Sequence, residues 1–318
     1  METEYLFPET AREMPWCREL QSRTKVHFAS MNRFSPKTYL QISEAMKGAD
    51  IVHSHFELYD CLTAMAKRRG QKLFWHLHDS FDDEIDAAHR IVNKIQYGIL
   101  GKRAVLISPS AYYADYVNKL GFPQKQTHLV DNCIDFSRLD RGVPKEKKWD
   151  FLLFGGFYRI KGLDVLLDSC RLLVKQGHQF KVGIVGYPDT WSYVRDHYSD
   201  LMPVIELLEP REDVSWFYAG ADTFISASRR ECFSYALLEA LYMGLPAIIS
   251  DIPGTVWATE YPATGVFGSG DAEMLAQVME KRLIGTFTPE TEETSRAVAE
   301  RYASRTWAEK IREIYVSG

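Results

Sequence analysis

Glu231 and Glu239 lie eight residues apart in the segment RRECFSYALLEALYMGLP, Arg229 to Pro246, and Glu239 stands within a nearly unbroken apolar and aromatic run. A lone carboxylate buried in such a run costs several kcal/mol unless something pairs with it. Two readings reward the spacing. In the first, the strand-like DTFISAS ends near Ser228 and a helix starts at Ser234, so Glu231 falls in the turn and Glu239 more than one turn into the helix. The helix N-terminus offers free N–H groups and a positive dipole end, which suit phosphate. A ligand with hydroxyls on both sides of a diphosphate would then engage every part, and that is the outline of a nucleotide-sugar. In the second reading Glu239 forms a salt bridge to a neighbouring strand and binds no ligand. The spacing alone leaves both open.

Short β-branched runs and capped helical stretches alternate around these acids. KVHFAS, DIVHSH, KLFWHLH, AVLIS and THLVD are the strands of the first half, with helices Pro36–Gly48, Tyr59–Gly70 and Ala111–Gly121 between them. A charged stretch with Gly and Pro, Asp140–Asp150, reads as a linker. The alternation then restarts with WDFLLFGG, LDVLLDSCRLLVKQG, KVGIVG, a helix near Val214–Ala219, DTFISAS, SYALLEALYMG and PAIISD. Strands alternating with helices predict an α/β fold with parallel sheets. Two such domains are expected, 1–145 and 146–318, with the last helix packing back on the first domain and a cleft between the two. Ligands of open α/β sheets bind beyond the carboxyl ends of the strands, where the motifs fall.

The composition agrees with a two-domain globular protein of 318 residues, 46% hydrophobic and 25% charged. The net charge of −5 excludes general binding to nucleic acid. Residues 1–145 carry 20 basic and 18 acidic side chains, the remainder 18 and 25. Seven of the nine histidines lie in the first domain. No run is long and apolar enough to span a membrane, and the acidic, proline-broken N-terminus is not a signal peptide. The five cysteines are scattered, which argues for free thiols in a reducing cytoplasm and against a disulfide framework or zinc site. Asp82–Glu84 reads as the acidic start of a helix rather than a metal site. Lys67–Lys72, KRRGQK, reads as a basic helix end or as a surface for anionic lipid. Trp216, Phe217 and Tyr218 read as packing.

SASRRECFSYALLEALYMGLPAIISDIPG resembles the E-x7-E segment of the retaining GT-B glycosyltransferases, above all family 4. The likeness continues in order through DIVHSH, FWHLHD, VLISPSAYYADYV, LVDNCIDFSRL, FGGFYRIKGLDVLL, VGIVG, DVSWFYAGADTFISAS and ATGVFGSGDAEMLAQVM. It implies a GT-B fold, with two Rossmann-like domains facing across a cleft. It implies a glycosyltransferase that takes a nucleotide-diphospho-sugar, with UDP preferred to GDP and no metal or other cofactor. It implies attack from the front face, with the leaving phosphate taking the acceptor proton. By residue, Glu231 would bind the donor sugar, Glu239 the ribose, and Lys161 the leaving diphosphate. Gly155 and Gly156 would let the backbone approach the nucleotide, His78 would face the reacting sugar, and Cys232, Phe233 and Ser234 would line the donor. The expected setting is bacterial surface polysaccharide or glycoconjugate synthesis, with a glycan or lipid-linked acceptor, in the cytoplasm or at the inner face of the membrane.

Three departures stand out. Gly156 occupies a position where the family usually has arginine, and nearby Arg159 is the candidate substitute. Asn132-Cys133-Ile134-Asp135 replaces an Asn-Gly-x-Asp turn. The first domain joins the pattern just before KVHFAS, which predicts that the opening βαβ unit is replaced, supplied by a partner chain, or lost through a late start. Two rival functions follow from the same residues: a nucleotide-sugar epimerase, and a non-catalytic glycan-binding or stabilising subunit of a transferase pair. Intact Glu231, Glu239 and Lys161 argue against the second.

Overall fold

The computed structural model of the chain describes residues 2–78, 80–81, 87–139 and 146–317. The acids at 82–84 and the linker residues 140–145 lie outside the described residues. The chain divides into two compact units, one formed by Met1–Val130 with Lys310–Gly318 and the other by Asp131–Glu309. The division thus falls ahead of the expected 145/146 boundary. Charge and proline mark solvent exposure, but contacts decide membership. Asp131 pairs with Arg301, Arg138 with Glu239, and the Ile134 N–H donates to the Tyr302 carbonyl, all within the second unit.

Unit 1 opens with strand β1 (Tyr5–Pro8), helix α1 (Pro15–Gln21) and strand β2 (Val26–Ala29), and β1 and β2 pair in parallel. This is a βαβ unit where the sequence predicts none, and it removes the reason for a partner chain to supply one. The signal is weak because β1 has only four residues and ends at a proline. Its connection to α1 contains no glycine, so a glycine loop remains absent there. Helix α2 (Pro36–Ala45) follows, capped by the Ser35 hydroxyl, which accepts from the Lys37 N–H, with proline at its first position. Strand β3 (Ile51–His55), helix α3 (Asp60–Ala66), strand β4 (Lys72–His76), helix α4 (Ala87–Asn93), strand β5 (Val105–Ser108), helix α5 (Ala111–Lys119) and strand β6 (Thr127–Leu129) complete the unit's first segment. The four strands β3 to β6 form a parallel sheet in chain order.

Helix α3 ends at Ala66, ahead of the basic stretch. Lys67 donates to the Arg103 carbonyl, Arg68 to the Ser43 carbonyl, and Lys72 to the carbonyls of Tyr315 and Val316. Three of the four basic side chains proposed for lipid are therefore engaged in backbone contacts within unit 1.

Unit 2 is a six-stranded parallel sheet. Its elements are β7 (Phe151–Phe154), α6 (Leu163–Lys175), β8 (Val182–Val185), α7 (Pro188–His197), β9 (Ile205–Leu208), α8 (Ser215–Ala219), β10 (Phe224–Ser226), α9 (Tyr235–Tyr242), β11 (Ala247–Ser250), β12 (Thr264–Phe267), α10 (Ala272–Leu283) and α11 (Thr291–Arg301). A last helix, α12 (Ser304–Ser317), runs from this unit into unit 1. The spatial order β12-β11-β10-β7-β8-β9 is the doubly wound 3-2-1-4-5-6 arrangement, so the direction of winding reverses between β7 and β10. Both faces are covered. Leu152, Phe224, Ala247 and Ile249 pack with α9 and α11 on one side, and Phe151, Leu153, Ile184, Ile225 and Ile248 with α6 and α10 on the other. Strands buried on both faces are apolar at nearly every position, which is why FLLF, VGIV and AIIS are readable as strands.

Gly162 caps α6 in the left-handed region, at φ 64°, and a Cβ built on it would lie 1.9 Å from the Ala227 carbonyl oxygen. Gly177, past the other end of α6, has φ 88° and open space around the same position. Alanine at either site meets the left-handed backbone cost of roughly 1–2 kcal/mol, but only Gly162→Ala adds a backbone collision. Urea unfolding should show Gly162→Ala to be clearly the more destabilising of the two, and equal losses would contradict the close approach at Ala227.

Candidate functional site

The loops that follow β7 and β10 stand side by side at the carboxyl ends of their strands, where the winding reverses. Lys161, in the first loop, places Nζ 2.5 Å from Oε1 of Glu231, in the second. The Ser228 hydroxyl donates to the same oxygen at 2.6 Å. The Glu231 side chain is 10% exposed and that of Lys161 31%. Several backbone contacts set this pair. Gly162 lets the first loop lie against Ala227, and the Arg229 N–H donates to the Ile160 carbonyl at 2.8 Å. The Arg229 guanidinium grips Asp164 with two bonds of 2.7 Å and reaches the Arg159 carbonyl. Burial alone would raise the Asp164 pKa, but the bonds and positive charge of this guanidinium outweigh it and hold the carboxyl below its ordinary value. On the far side, a Cβ on Gly254 would lie 2.3 Å from the Glu231 carbonyl oxygen, so that turn also closes directly on the acid's backbone.

Gly155 donates its N–H to the Val185 carbonyl at 2.7 Å and has Thr190, Ile184 and Leu153 in contact distance of any Cβ. Gly156 has room, with the Tyr187 ring no closer than 3.6 Å to a built Cβ. Arg159 is exposed, with its guanidinium 5.9 Å from the Tyr158 ring, and the structure does not bring it into the Lys161–Glu231 pair.

Helix α9 starts after Ser234 and is followed by Gly244 at φ 78°. Its first N–H groups lack partners within the helix, as at any helix start. The Ser234 N–H itself is taken by the Gly254 carbonyl at 3.1 Å, and its hydroxyl makes no capping bond. Phe233 stacks on Trp257 at 5.0 Å and packs against Tyr302, so its ring belongs to the core. Cys232 is buried beside it.

Glu239 is 5% exposed and paired twice. Arg138 forms an ion pair with Oε1, and the Tyr218 hydroxyl donates to Oε2 at 2.8 Å. The same hydroxyl lies 3.0 Å from the Ala236 carbonyl. Burial drives the Tyr218 pKa far above the usual phenol value, so it stays a donor. The ion pair offered by the second reading of the sequence is therefore present, from a turn rather than a strand. It does not exhaust the acid, because a carboxylate has about four acceptor positions and these two partners use one on each oxygen. Neither Arg138 nor Tyr218 is singled out by the sequence. Arg138 lies in a quoted motif, LVDNCIDFSRL, but 101 positions from its partner, and Tyr218 sits in an aromatic triplet that reads as core.

His78 follows β4 in unit 1. Its Nε2 lies 2.9 Å from Nδ1 of His55, its N–H donates to Glu57 at 3.3 Å, and the Phe56 ring stacks on it at 4.5 Å. Phe56 and Glu57 both have positive φ, at 62° and 50°, an uncommon conformation for such side chains. Burial, with the nearby His55, lowers the His78 pKa to about 3, so the ring is neutral across the physiological range. His53 is likewise lowered to about 3 by burial and its histidine neighbours, and burial also lowers His55.

A family model described as Glycosyl transferases group 1 matches residues 148–284, and one described as Glycosyltransferase Family 4 matches residues 7–138. The chain is 31% identical over 130 residues to the amylovoran biosynthesis glycosyltransferase AmsK of Erwinia amylovora, covering 37% of this chain and 32% of AmsK. It is 24% identical over 243 residues to the GDP-mannose:cellobiosyl-diphosphopolyprenol alpha-mannosyltransferase of Xanthomonas oryzae, covering 72% and 63%. The matches thus span less than two thirds of the length of these curated relatives. Among solved structures, Anabaena HepE in complex with UDP superposes with a TM-score of 0.83 over 100% of both chains, at 16% identity. A glycosyltransferase from Rickettsia africae gives 0.81 over 98% of this chain and 97% of its own, also at 16%. At that identity the likeness shows the fold, which is GT-B.

The double pairing of Glu239 makes a stability prediction. Tyr218→Phe removes one donor from a buried carboxylate and should cost roughly 1–3 kcal/mol. Denaturant unfolding of the variant checks it, and an unchanged midpoint would mean that the hydroxyl does not support the acid.

Proposed function

The chain belongs to glycosyltransferase family 4, and from that premise we propose that it is a retaining glycosyltransferase moving a sugar from a nucleotide-diphospho-sugar to a glycan or lipid-linked acceptor in bacterial surface polysaccharide or glycoconjugate synthesis. The observation that carries the reading is the Lys161–Glu231 pair at the carboxyl ends of β7 and β10, with the start of α9 directly after it. Each part has a task in this chemistry. Glu231 accepts from donor-sugar hydroxyls. Lys161 exchanges its carboxylate partner for the diphosphate, where negative charge grows as the sugar leaves. The N–H groups and dipole of α9 receive the phosphates. Glu239, held by Arg138 and Tyr218, accepts from the ribose with its remaining positions. Gly155 and Gly156 admit the nucleotide, Cys232 and Phe233 contribute through their backbone, and Arg159 is the second cation for the phosphates. Neutral His78 in unit 1 serves as a hydrogen-bond partner for the reacting sugar. The acceptor proton goes to the leaving phosphate, so the transfer needs neither a protein base nor a metal.

UDP is preferred to GDP, a choice supported by the HepE complexes with UDP and UDP-glucose and opposed by the mannosyltransferase named for GDP-mannose. A thermal-shift series with UDP, GDP, ADP and their sugars decides it. At about 100 times its dissociation constant a ligand adds about 2.7 kcal/mol. The site residues are separated by three variants. Glu231→Ala should bind free nucleotide normally and fail to transfer. Glu239→Gln should weaken nucleotide binding. Lys161→Ala should lower turnover about 100-fold or more with a smaller effect on donor affinity, and Arg159→Ala should lower it less. Normal transfer by Glu231→Ala and Lys161→Ala together would remove the assignment, and donor conversion without acceptor would favour the epimerase.

An acceptor on a membrane fits a further surface. Helix α4 continues into a π-helical turn, Lys94–Ile99, and Ile91, Ile95 and Ile99 are exposed at helical spacing beside Arg90 and Lys94. An apolar stripe flanked by cations suits the anionic cytoplasmic face of a bilayer. No helix among the described residues is long and apolar enough to cross a membrane. Flotation with phosphatidylserine vesicles should recover the wild type, and Ile95→Glu should lose most of that recovery. Equal recovery of both would place lipid contact elsewhere or nowhere.

A further inference from the structure

Four histidines cluster on one face of the unit 1 sheet, and the proposed transfer chemistry uses only His78. His53 and His55 alternate with Ser54 along β3, so both project to the same side. His76 on β4 is the register partner of His55. The His53 and His55 rings stack at 4.3 Å, and His76 lies 5.4 and 5.2 Å from them between centroids. One ligand nitrogen from each of the three falls within 4.8 Å of the others, and this is the one such cluster among the described residues. We propose that His53, His55 and His76 bind a single divalent transition-metal ion of the Zn²⁺ class, with three imidazole nitrogens as ligands and a fourth position open to solvent.

The outer contacts support this assignment. The His53 Nδ1 meets the Tyr315 hydroxyl at 2.5 Å, which leaves Nε2 as the ligand atom. That nitrogen is buried and has no hydrogen-bond partner among the described residues. Stacking of the rings on one another does not provide it with one. The His55 Nδ1 is held by His78 at 2.9 Å, which again leaves Nε2. Metal-bound histidines are typically oriented in this way, with the second ring nitrogen fixed by a hydrogen bond. A His-x-His pair on one strand with a third histidine from the next supplies the three-nitrogen set of an open zinc site. Imidazole selects zinc and its neighbours in the transition series over Mg²⁺ or Ca²⁺, which require oxygen. Zn–N bonds of about 2.0–2.1 Å put ligand nitrogens about 3.3 Å apart. The three ligand nitrogens, one per ring, lie within 4.8 Å of one another, and binding turns the stacked His53 and His55 rings so that their in-plane lone pairs converge on the ion.

The test uses the full chain, stripped with a chelator and desalted. Zn²⁺ is titrated in competition with a chromophoric chelator, and Co²⁺ is followed by its visible absorption. The expected result is one ion per chain, half-saturating at micromolar concentration or below, with the intense visible bands of four-coordinate Co²⁺. Tyr315→Phe should lower affinity about 10–100-fold, the usual effect of removing an outer partner. His53→Ala, His55→Gln and His76→Ala should each lower it at least as much, while His128→Ala on β6 should not. His55 is exposed, so His55→Gln is the variant expected to remain folded if the two more buried positions do not tolerate change, and circular dichroism checks this. Failure of the wild type to bind Zn²⁺ overturns the proposal, and so does binding by folded His55→Gln that equals the wild type. Neither readout uses a sugar donor, so this proposal and the transfer reading fail separately.

Discussion

Gly162 and Ala227 approach so closely that no side chain larger than hydrogen fits between them. Most of the arrangement in unit 2 depends on this contact. It lays the loop after β7 against the loop after β10, at the point where the winding of the sheet reverses. Asp164 and Arg229 then clamp the two loops, and Gly254 closes on the carbonyl of Glu231 from the opposite side. Lys161 is thus positioned by backbone on backbone. Its side chain has to span only the last step to Glu231, and a flexible lysine gains a defined address without a rigid stem of its own.

The two acids illustrate different answers to one electrostatic problem. Glu231 keeps a side chain 10% exposed and pairs with Lys161, itself 31% exposed. Glu239 is deep in a helix rich in leucine, and its charge is balanced permanently by Arg138 and by a tyrosine too buried to ionise. A partly exposed lysine can change partners at small cost, whereas a carboxylate buried in a helix depends on the partners it already has. The difference is set by burial and by which element supplies the partner.

How much of this was legible follows from range. Most strands of the unit 2 sheet are readable because parallel strands covered on two faces are nearly continuous apolar runs, as in FLLF and AIIS. Lys161, Glu231 and Glu239 are readable because their elements are ordered along the chain in a recognisable series. Strand β9, IELL, is at the sheet edge with Glu206 exposed, and no apolar run marks it. Helix α7 starts at a proline and buries only Thr190 and Val194, too little for a period. Strand β1 leaves no signal in the sequence, because four residues ending in proline carry no alternation. Arg138, Tyr218 and Arg229 acquire their roles only through partners 101, 21 and 65 positions away, which no local pattern encodes. The histidine face required both the alternation along β3 and the register with β4, and only the first is present in the sequence.

The last nine residues, Lys310–Gly318, belong to unit 1 although they are made after all of unit 2. They bring Tyr315 to His53 and Phe74, and the final carbonyls of α12 to Lys72. During synthesis the order of completion is therefore inverted. Residues 131–309 can close their sheet while the first unit still lacks this segment, and the histidine face of β3 and β4 stays uncovered until residues 310–318 have been made. Domains generally fold as units while the chain grows at about 5–20 residues per second. The earlier unit therefore waits for the whole length of the later one before its polar face receives its tyrosine.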